Sequence, residues 1–468
     1  MKKWIALLLS AVLMLSLCAC GASSSADQLL VGYGRVDITP DYPVSISGSA
    51  TDYISEGVLD PIYFTCIALR KGEQTMLIAT VDLVGSYSAY ADMTMTAMSN
   101  ATGVPEENII INGTHTHSSV AASSPDKTGI SQYQPMLVEW AAEAALAAVN
   151  DLAAAEVYYG STTAEGHAFV RHYELSDGSY AGPNFGNFNA GTIVGHSVDA
   201  DTTMQLIRFV RADKDKKDIV LMNFPAHATM TGGENMLSAD YPGPTRQYIA
   251  ENTDTLVAFF IAAAGNQVPS SRIPEENVSK DYQVYGEAMG RIAVEALNNN
   301  MTKQENVTLS FARRTFTGKS NKADLDRLPD AMAVEAIWAQ VGGRGTSEGK
   351  AAAKQYGFDS VYEVTAILNR SKFAETRSMD LSVLSVGDVS FVFAPYEMFA
   401  SNGAAIRETS PYPMTFIVTC SYDHAGYLPD TRGVEINCYE AQITKFEYGT
   451  AEKLVTEYVD MLTELKAQ

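Results

Sequence analysis

Apolar residues in this chain fall into short runs separated by stretches with helical periodicity. Leu29-Leu-Val-Gly-Tyr-Gly-Arg-Val-Asp37-Ile-Thr-Pro40 predicts a first strand stopped by proline, with glycines that permit close backbone approach and Arg35 and Asp37 on one face. Residues 58–69 and 76–83 predict two more strands joined through Arg70-Lys-Gly-Glu73, and residues 89–101 a helix. Ile109-Ile110-Ile111 predicts a buried strand that Asn112-Gly113 breaks. Residues 134–152 place Leu137, Trp140, Ala141, Ala144 and Val149 at amphipathic-helix spacing.

Further strands are predicted at 157–160, 204–210, 219–227, 256–264 and 415–419, with a hairpin of 381–386 and 389–395 through Gly387-Asp388. Helices are expected at 282–300, across most of 331–368, and at 451–467. The two element types alternate with no linker, composition shift or evident internal repeat. The expectation is an α/β fold, a single large mixed α/β domain with β-sheets flanked by helices. No sandwich-like tail of evenly spaced short strands follows it.

Composition leaves this picture unchanged: 468 residues, 46% hydrophobic, 19% charged. The net charge of −22 argues against nucleic acid as a partner. The N-terminus adds an address. Lys2 and Lys3 precede an apolar stretch, and Leu17-Cys-Ala-Cys20 resembles a lipobox. We therefore expect a signal peptide over 1–19, a lipid on Cys20, a tether over 20–28 and the folded domain over 29–468, anchored to the membrane outside the cytoplasm. Cys66, Cys420 and Cys438 remain, and pairing of Cys420 with Cys438 stays open.

Candidate chemistry centres on Gly113-Thr-His115-Thr-His117-Ser118. In an extended segment, side chains two apart share a face at ~7 Å, so both imidazoles would look into one site. A pair of histidines in a polar surface loop is the alternative. Asp82, ending an apolar strand, is either a site residue or a helix cap. His227 also ends an apolar strand. The long stretch 166–199, rich in Gly, Asn and Ser, carries His167, Arg171, His172 and His196, and loops of that length tend to be functional.

Taken together, these motifs resemble the catalytic domain of the neutral/alkaline, non-lysosomal ceramidases, a zinc amidohydrolase family. Gly32 to Pro40 is similar to the family's first strand, and Gly113 to Ser118 to its zinc loop. Asn223-Phe-Pro-Ala-His227 with Ser238-Ala-Asp240-Tyr-Pro-Gly243 resembles the second histidine block. Ala394-Pro-Tyr-Glu397, Gly426-Tyr427 and Tyr439-Glu440 resemble the later blocks. The matches run from about residue 30 to about 440, and the family's C-terminal immunoglobulin-like domain has no counterpart.

The resemblance implies zinc held by His115, His227, Glu397 and Tyr427, with His117, Arg171 and Tyr439 as catalytic groups around a scissile amide in a small-molecule or lipid substrate. His424 and His172 are left as surface or supporting residues. In one respect the chain departs from the family: the loop Gly265-Asn-Gln-Val-Pro269 has Val268 where the family has a serine, and valine neither donates nor accepts a hydrogen bond. Ser270 or Ser271 could substitute. Two other expectations stand beside amide hydrolysis. One keeps zinc and changes the bond to an ester or phosphoester; the other is a lipid-anchored solute-binding protein without catalysis.

Overall fold

The computed structural model describes residues 28–48, 53–86 and 88–468. The expected signal peptide, lipobox and most of the tether lie outside the described residues. Nine strands form the main sheet: β1 (Leu30–Asp37), β2 (Tyr63–Lys71), β3 (Gln74–Val81), β4 (Ile109–Gly113), β5 (Ala153–Thr163), β6 (Thr203–Arg211), β7 (Ile219–Phe224), β8 (Leu256–Ile261) and β9 (Thr302–Lys303). Their order is β8-β7-β6-β5-β1-β2-β3-β4, with β9 on β5. A second sheet runs β10 (Leu309–Lys319), β11 (Thr376–Val386), β12 (Val389–Ala394), β13 (Met414–Thr419).

Side-chain alternation explains how the sheets stack. In β3, Leu77, Ala79 and Val81 join a core with helices α1 (Ser88–Thr102) and α2 (Ile130–Asn150). Met76 and Ile78 point the other way, into a core shared with Val389, Phe391 and Phe393 of β12 and Phe416 and Val418 of β13. The two sheets therefore pack face to face. Helices α3 (Pro242–Thr253) and α4 (Tyr282–Asn299) cover β6 to β8 on the first side. The outer face of β12 packs Val392 and Ala394 against α8 (Ala400–Thr409) and α10 (Thr450–Lys466). The result is four layers, helix, sheet, sheet, helix, in one mixed α/β domain. Ile109 to Ile111 shows no alternation because both faces of β4 are covered.

The sequence shows no repeat, but the topology does. Antiparallel β2–β3 lead through α1 to β4, parallel to β3. Antiparallel β6–β7 lead through α3 to β8, parallel to β7. Antiparallel β11–β12 lead through α8 to β13, parallel to β12. The carboxyl ends of these parallel pairs meet, as bridges Asn112↔Ser421 and Thr116↔Ala228 record. In open α/β sheets that end is where ligands bind.

Other differences are local. The strand expected at 157–160 extends to 153–163, and the helical stretch after β10 divides into α5 (Leu328–Trp338), α6 (Ser347–Gln355) and α7 (Val361–Arg370) around a small core of their own. Residues 166–199 carry short strands rather than open loop. Among the described residues, no helix is long and apolar enough to cross a membrane.

β1 lies directly under α2. A Cβ on Gly34 would stand 2.0 Å from the Ala144 carbonyl oxygen, whereas one on Gly195 would meet nothing within 4 Å. Gly34→Ala must push α2 off the sheet, and overpacking of this kind costs ~1–3 kcal/mol. Urea unfolding should show that loss for Gly34→Ala and less than about 0.5 kcal/mol for Gly195→Ala.

Candidate metal centre

Each parallel pair contributes a side chain just past its carboxyl end. β4 delivers His115, two residues beyond Gly113. Phe224-Pro-Ala-His227 and Ala394-Pro-Tyr-Glu397 share one device: proline, lacking an N–H for the ladder, ends β7 and β12, and the second residue after it faces the site. Glu397 then pairs in parallel with Tyr427, and its N–H donates to the Gly426 carbonyl at 3.0 Å.

The expected extended His-x-His does not occur. His115 has φ +66°, in the left-handed region, so the chain turns sharply where the strand ends. Its N–H donates to Leu83 O at 3.0 Å, and Thr114 Oγ1 donates to Asp82 Oδ1 at 3.1 Å. Asp82 is in turn clamped by both terminal nitrogens of Arg246, at 2.8 and 2.7 Å, so this strand-end acid supports the turn from behind. The turn still brings the rings together: His117 Nε2 lies 3.4 Å from His115 Nε2.

The ring tautomers follow from what each Nδ1 faces. His115 Nδ1 is 2.6 Å from Val84 O; His227 Nδ1 is 2.7 Å from Ala264 O and 3.0 Å from Gln267 O. A carbonyl only accepts, so Nδ1 carries the proton and Nε2 presents its lone pair. Both Nε2 atoms approach Glu397 Oε2, at 3.3 and 3.1 Å, and Tyr427 OH is 3.5 Å from His227 Nε2. Lone pairs thus converge on one buried point, an arrangement that a cation satisfies. His115, His117 and His227 form a group whose ligand atoms lie within 4.8 Å of one another.

Electrostatics agree with a cation site. Burial alone would raise the Glu397 pKa, but His115, His227 and His424 hold the carboxyl well below its usual range. Burial, with His115 and Arg171 nearby, pushes His227 down to about 4, and burial with the neighbouring rings depresses His117 strongly. His115 moves the other way: burial opposes a charge there, but Cys420 and Glu397 raise it well above its usual value. Nitrogen and carboxylate donors at three or four positions are a set that zinc accepts.

The remaining expected residues form the flank. Arg171 Nε donates to Glu440 Oε1 at 2.7 Å and a terminal nitrogen to Gly265 O at 3.0 Å, with its guanidinium carbon 5.4 Å from the Tyr427 ring centre. Tyr439 sits edge-on to Tyr427, centroids 6.1 Å apart. Val268 pairs with Phe169 in the short ladder that also places Arg171, and the preceding Gln267 carbonyl accepts from His227. The loop therefore borders the site. Ser271 is held instead by His196, at 3.3 Å, and Asn277, and Ser270 is exposed.

Two participants, Glu440 and Cys420, had no role in the sequence reading, and the structure decides a third, His424. His424, left as a surface or supporting residue, has Nε2 2.7 Å from Glu397 Oε1. Glu440 is fully buried, and His172 binds its second oxygen at 2.9 Å. Cys420 Sγ lies 3.5 Å from His115 Nδ1, and Cys420 and Cys438 are both free thiols. The neighbourhood of His424 to Tyr427, and the acid adjoining Tyr439, were the available signals. His172, Cys438 and Glu440 form a second cluster of potential donors, but the Glu440 charge is already matched by Arg171.

No protein-family model and no curated protein sequence matches the chain. Its fold matches that of neutral ceramidase from Pseudomonas aeruginosa, with TM-score 0.68 and 16% identity over 94% of this chain and 75% of that one. It likewise matches a ceramidase complexed with C2, with TM-score 0.66 and 15% identity over 94% and 75%.

Arg171 and His172 hold Glu440 ionised far below its usual pKa, although burial opposes this. The folded chain therefore binds that proton less readily than the unfolded one. The stabilisation is whole above the ordinary glutamate value of 4.5 and drains as pH falls below it. Glu440→Gln should cost ~3–5 kcal/mol at pH 7. Urea unfolding of both proteins should show that gap shrinking by pH 3.5; a gap independent of pH would contradict the assignment.

Proposed function

We propose that this protein is a divergent member of the neutral ceramidase family, a zinc-dependent hydrolase of an amide bond in an N-acyl lipid or related substrate, tethered outside the cytoplasm by a lipid on Cys20. The observation that carries the reading is the convergence of the His115 and His227 Nε2 atoms on Glu397, each ring oriented by a carbonyl at Nδ1, within a ceramidase fold.

His115, His227, Glu397 and Tyr427 would hold the zinc ion, which supplies Lewis-acid polarisation of a carbonyl and a lowered pKa for water. His117, kept neutral by burial, offers Nε2 to take the proton from an attacking water and return it to the leaving amine. Tyr439, whose pKa burial raises, keeps its hydroxyl proton and can donate it to the developing oxyanion. Arg171 stays charged against its burial through Glu440 and keeps Tyr427 in place from the side. A solute-binding protein has no need of these proton-carrying groups around a cation site.

Val268 gives the site its own character. It leaves an apolar wall where the resembled family has a hydrogen-bonding serine, so attack relies on the remaining groups.

Zinc-loaded wild type should cleave members of an N-acyl panel and lose the activity on chelation. His117→Ala and Tyr439→Phe should keep the metal and lose ~10²–10³ in kcat. Full amide and ester hydrolysis in both variants would refute their roles. Val268→Ser, which puts a hydroxyl in place of the two methyl groups, should raise amide hydrolysis ~10- to 100-fold if the pocket is still shaped as in the ceramidases. No gain with zinc bound would show that the pocket has diverged.

A further inference from the structure

Behind Tyr439, on the side formed by α7 and the turn after α9 (Tyr439–Ile443), lies a cavity of about 270 Å³. It is smaller than pockets for drug-sized ligands and suits a head group. Its wall carries Arg344, Arg370 and Lys445 and no carboxylate. On a chain of net charge −22 a lining of one positive sign runs against the background. We propose that this cavity is a subsite for an oxyanion, a carboxylate, sulfonate or phosphate, carried by the substrate beside its scissile amide; the proposal rests on the amidase reading above.

Arg344 and Lys445 have no ion pair among the described residues, whereas Arg370 is already paired with Asp324. Arg344 is exposed, steadied by one bond to Thr365 Oγ1 at 3.2 Å and lying 5.6 Å over the Tyr362 ring. Arg370 is buried, its terminal nitrogens bound to Asp324 Oδ2 at 3.0 Å and Gln442 O at 2.6 Å, while Nε has no partner among the described residues. Lys445 packs beside Gly426, its Nζ 3.9 Å from where a Cβ on that glycine would stand. Burial and Arg377 work against its charge, and Asp423 and Glu397 act on it only through space. An incoming anion would supply what these groups lack.

The cavity is one side-chain layer from the metal centre. Tyr439 is a shared wall, edge-on to Tyr362 at 5.0 Å on one side and to Tyr427 at 6.1 Å on the other. Thr444, also in the cavity wall, donates its hydroxyl to the Tyr427 carbonyl at 2.9 Å. A neutral head group placed here would desolvate Arg344 and Lys445 without pairing them, which is unfavourable. The geometry thus selects against a neutral amide lipid and for an anionic one.

N-dodecanoylserine and N-dodecanoylethanolamine differ only by a carboxylate and separate the two cases. Zinc-loaded wild type should prefer the serine derivative in kcat/KM by ~10-fold or more, the worth of one charge-assisted hydrogen bond. Lys445→Gln and the surface variant Arg344→Gln should each reduce that preference by raising KM for the serine derivative, with the ethanolamide rate unchanged. Inhibition by inorganic phosphate, weakened in Lys445→Gln, would show that the subsite also takes a free oxyanion. Lack of that inhibition with the preference intact would place recognition on the substrate's own head group, as proposed. Equal rates for the two derivatives in wild type, or a preference that survives both substitutions, would overturn the subsite. If neither derivative is cleaved, the amidase reading is what has failed. Calorimetric titration with N-dodecanoylserine then decides: binding ~10-fold weaker in Lys445→Gln supports the subsite, and unchanged or absent binding overturns it.

Discussion

A fully ionised carboxylate buried among imidazoles is the constraint on which this structure turns. Glu397 is 5% exposed and reaches His115, His227 and His424 within 3.3 Å. Burying a carboxylate is costly unless positive charge and hydrogen bonds meet it. The fold meets it by bringing together the carboxyl ends of three parallel strand pairs, each with its own crossover helix. Two sheets packed face to face make those ends rigid, and the carbonyls of Val84 and Ala264 fix the rings that face the acid. The left-handed backbone at His115 is held by the same surroundings, with Asp82 and Arg246 behind the turn.

Much of this was legible in the chain. Elements with strong periodicity, such as α1, α10 and the hairpin through Gly387-Asp388, fall where the pattern puts them. His115 and His227 stood out because each follows an apolar run at a strand end, whereas Glu397 and Tyr427 came from the resemblance. What the pattern could not carry is anything that depends on long-range geometry. The repeated hairpin, helix, parallel-strand topology is invisible because its copies share architecture and only the Pro-x-ligand device at β7 and β12, not sequence. His424 stands close to Tyr427 in sequence, but its partner lies 27 residues away across the β12–β13 crossover, so only the fold shows what it binds. Glu440 stood beside a tyrosine that drew the attention, and its role exists only because Arg171 comes back from residues 169–171 to meet it. The two rings of the H-x-H pair do meet, but a turn, not the expected extended strand, joins them.

The divergence from the ceramidases it resembles has a consistent direction. Around the candidate metal centre, His115, His227, Glu397 and Tyr427 stand together as the resemblance implies. Away from it the chemistry changes: Val268 removes a polar group on one side, and the wall behind Tyr439 gathers three cations on the other.

Diffraction from crystals equilibrated with zinc, recorded at and below the zinc absorption edge, addresses the central claim most directly. The account predicts one dominant anomalous peak within coordination distance, ~2.0–2.2 Å, of the His115 and His227 Nε2 atoms and a Glu397 oxygen. No peak there, or a dominant peak at the His172, Cys438 and Glu440 cluster instead, would contradict it.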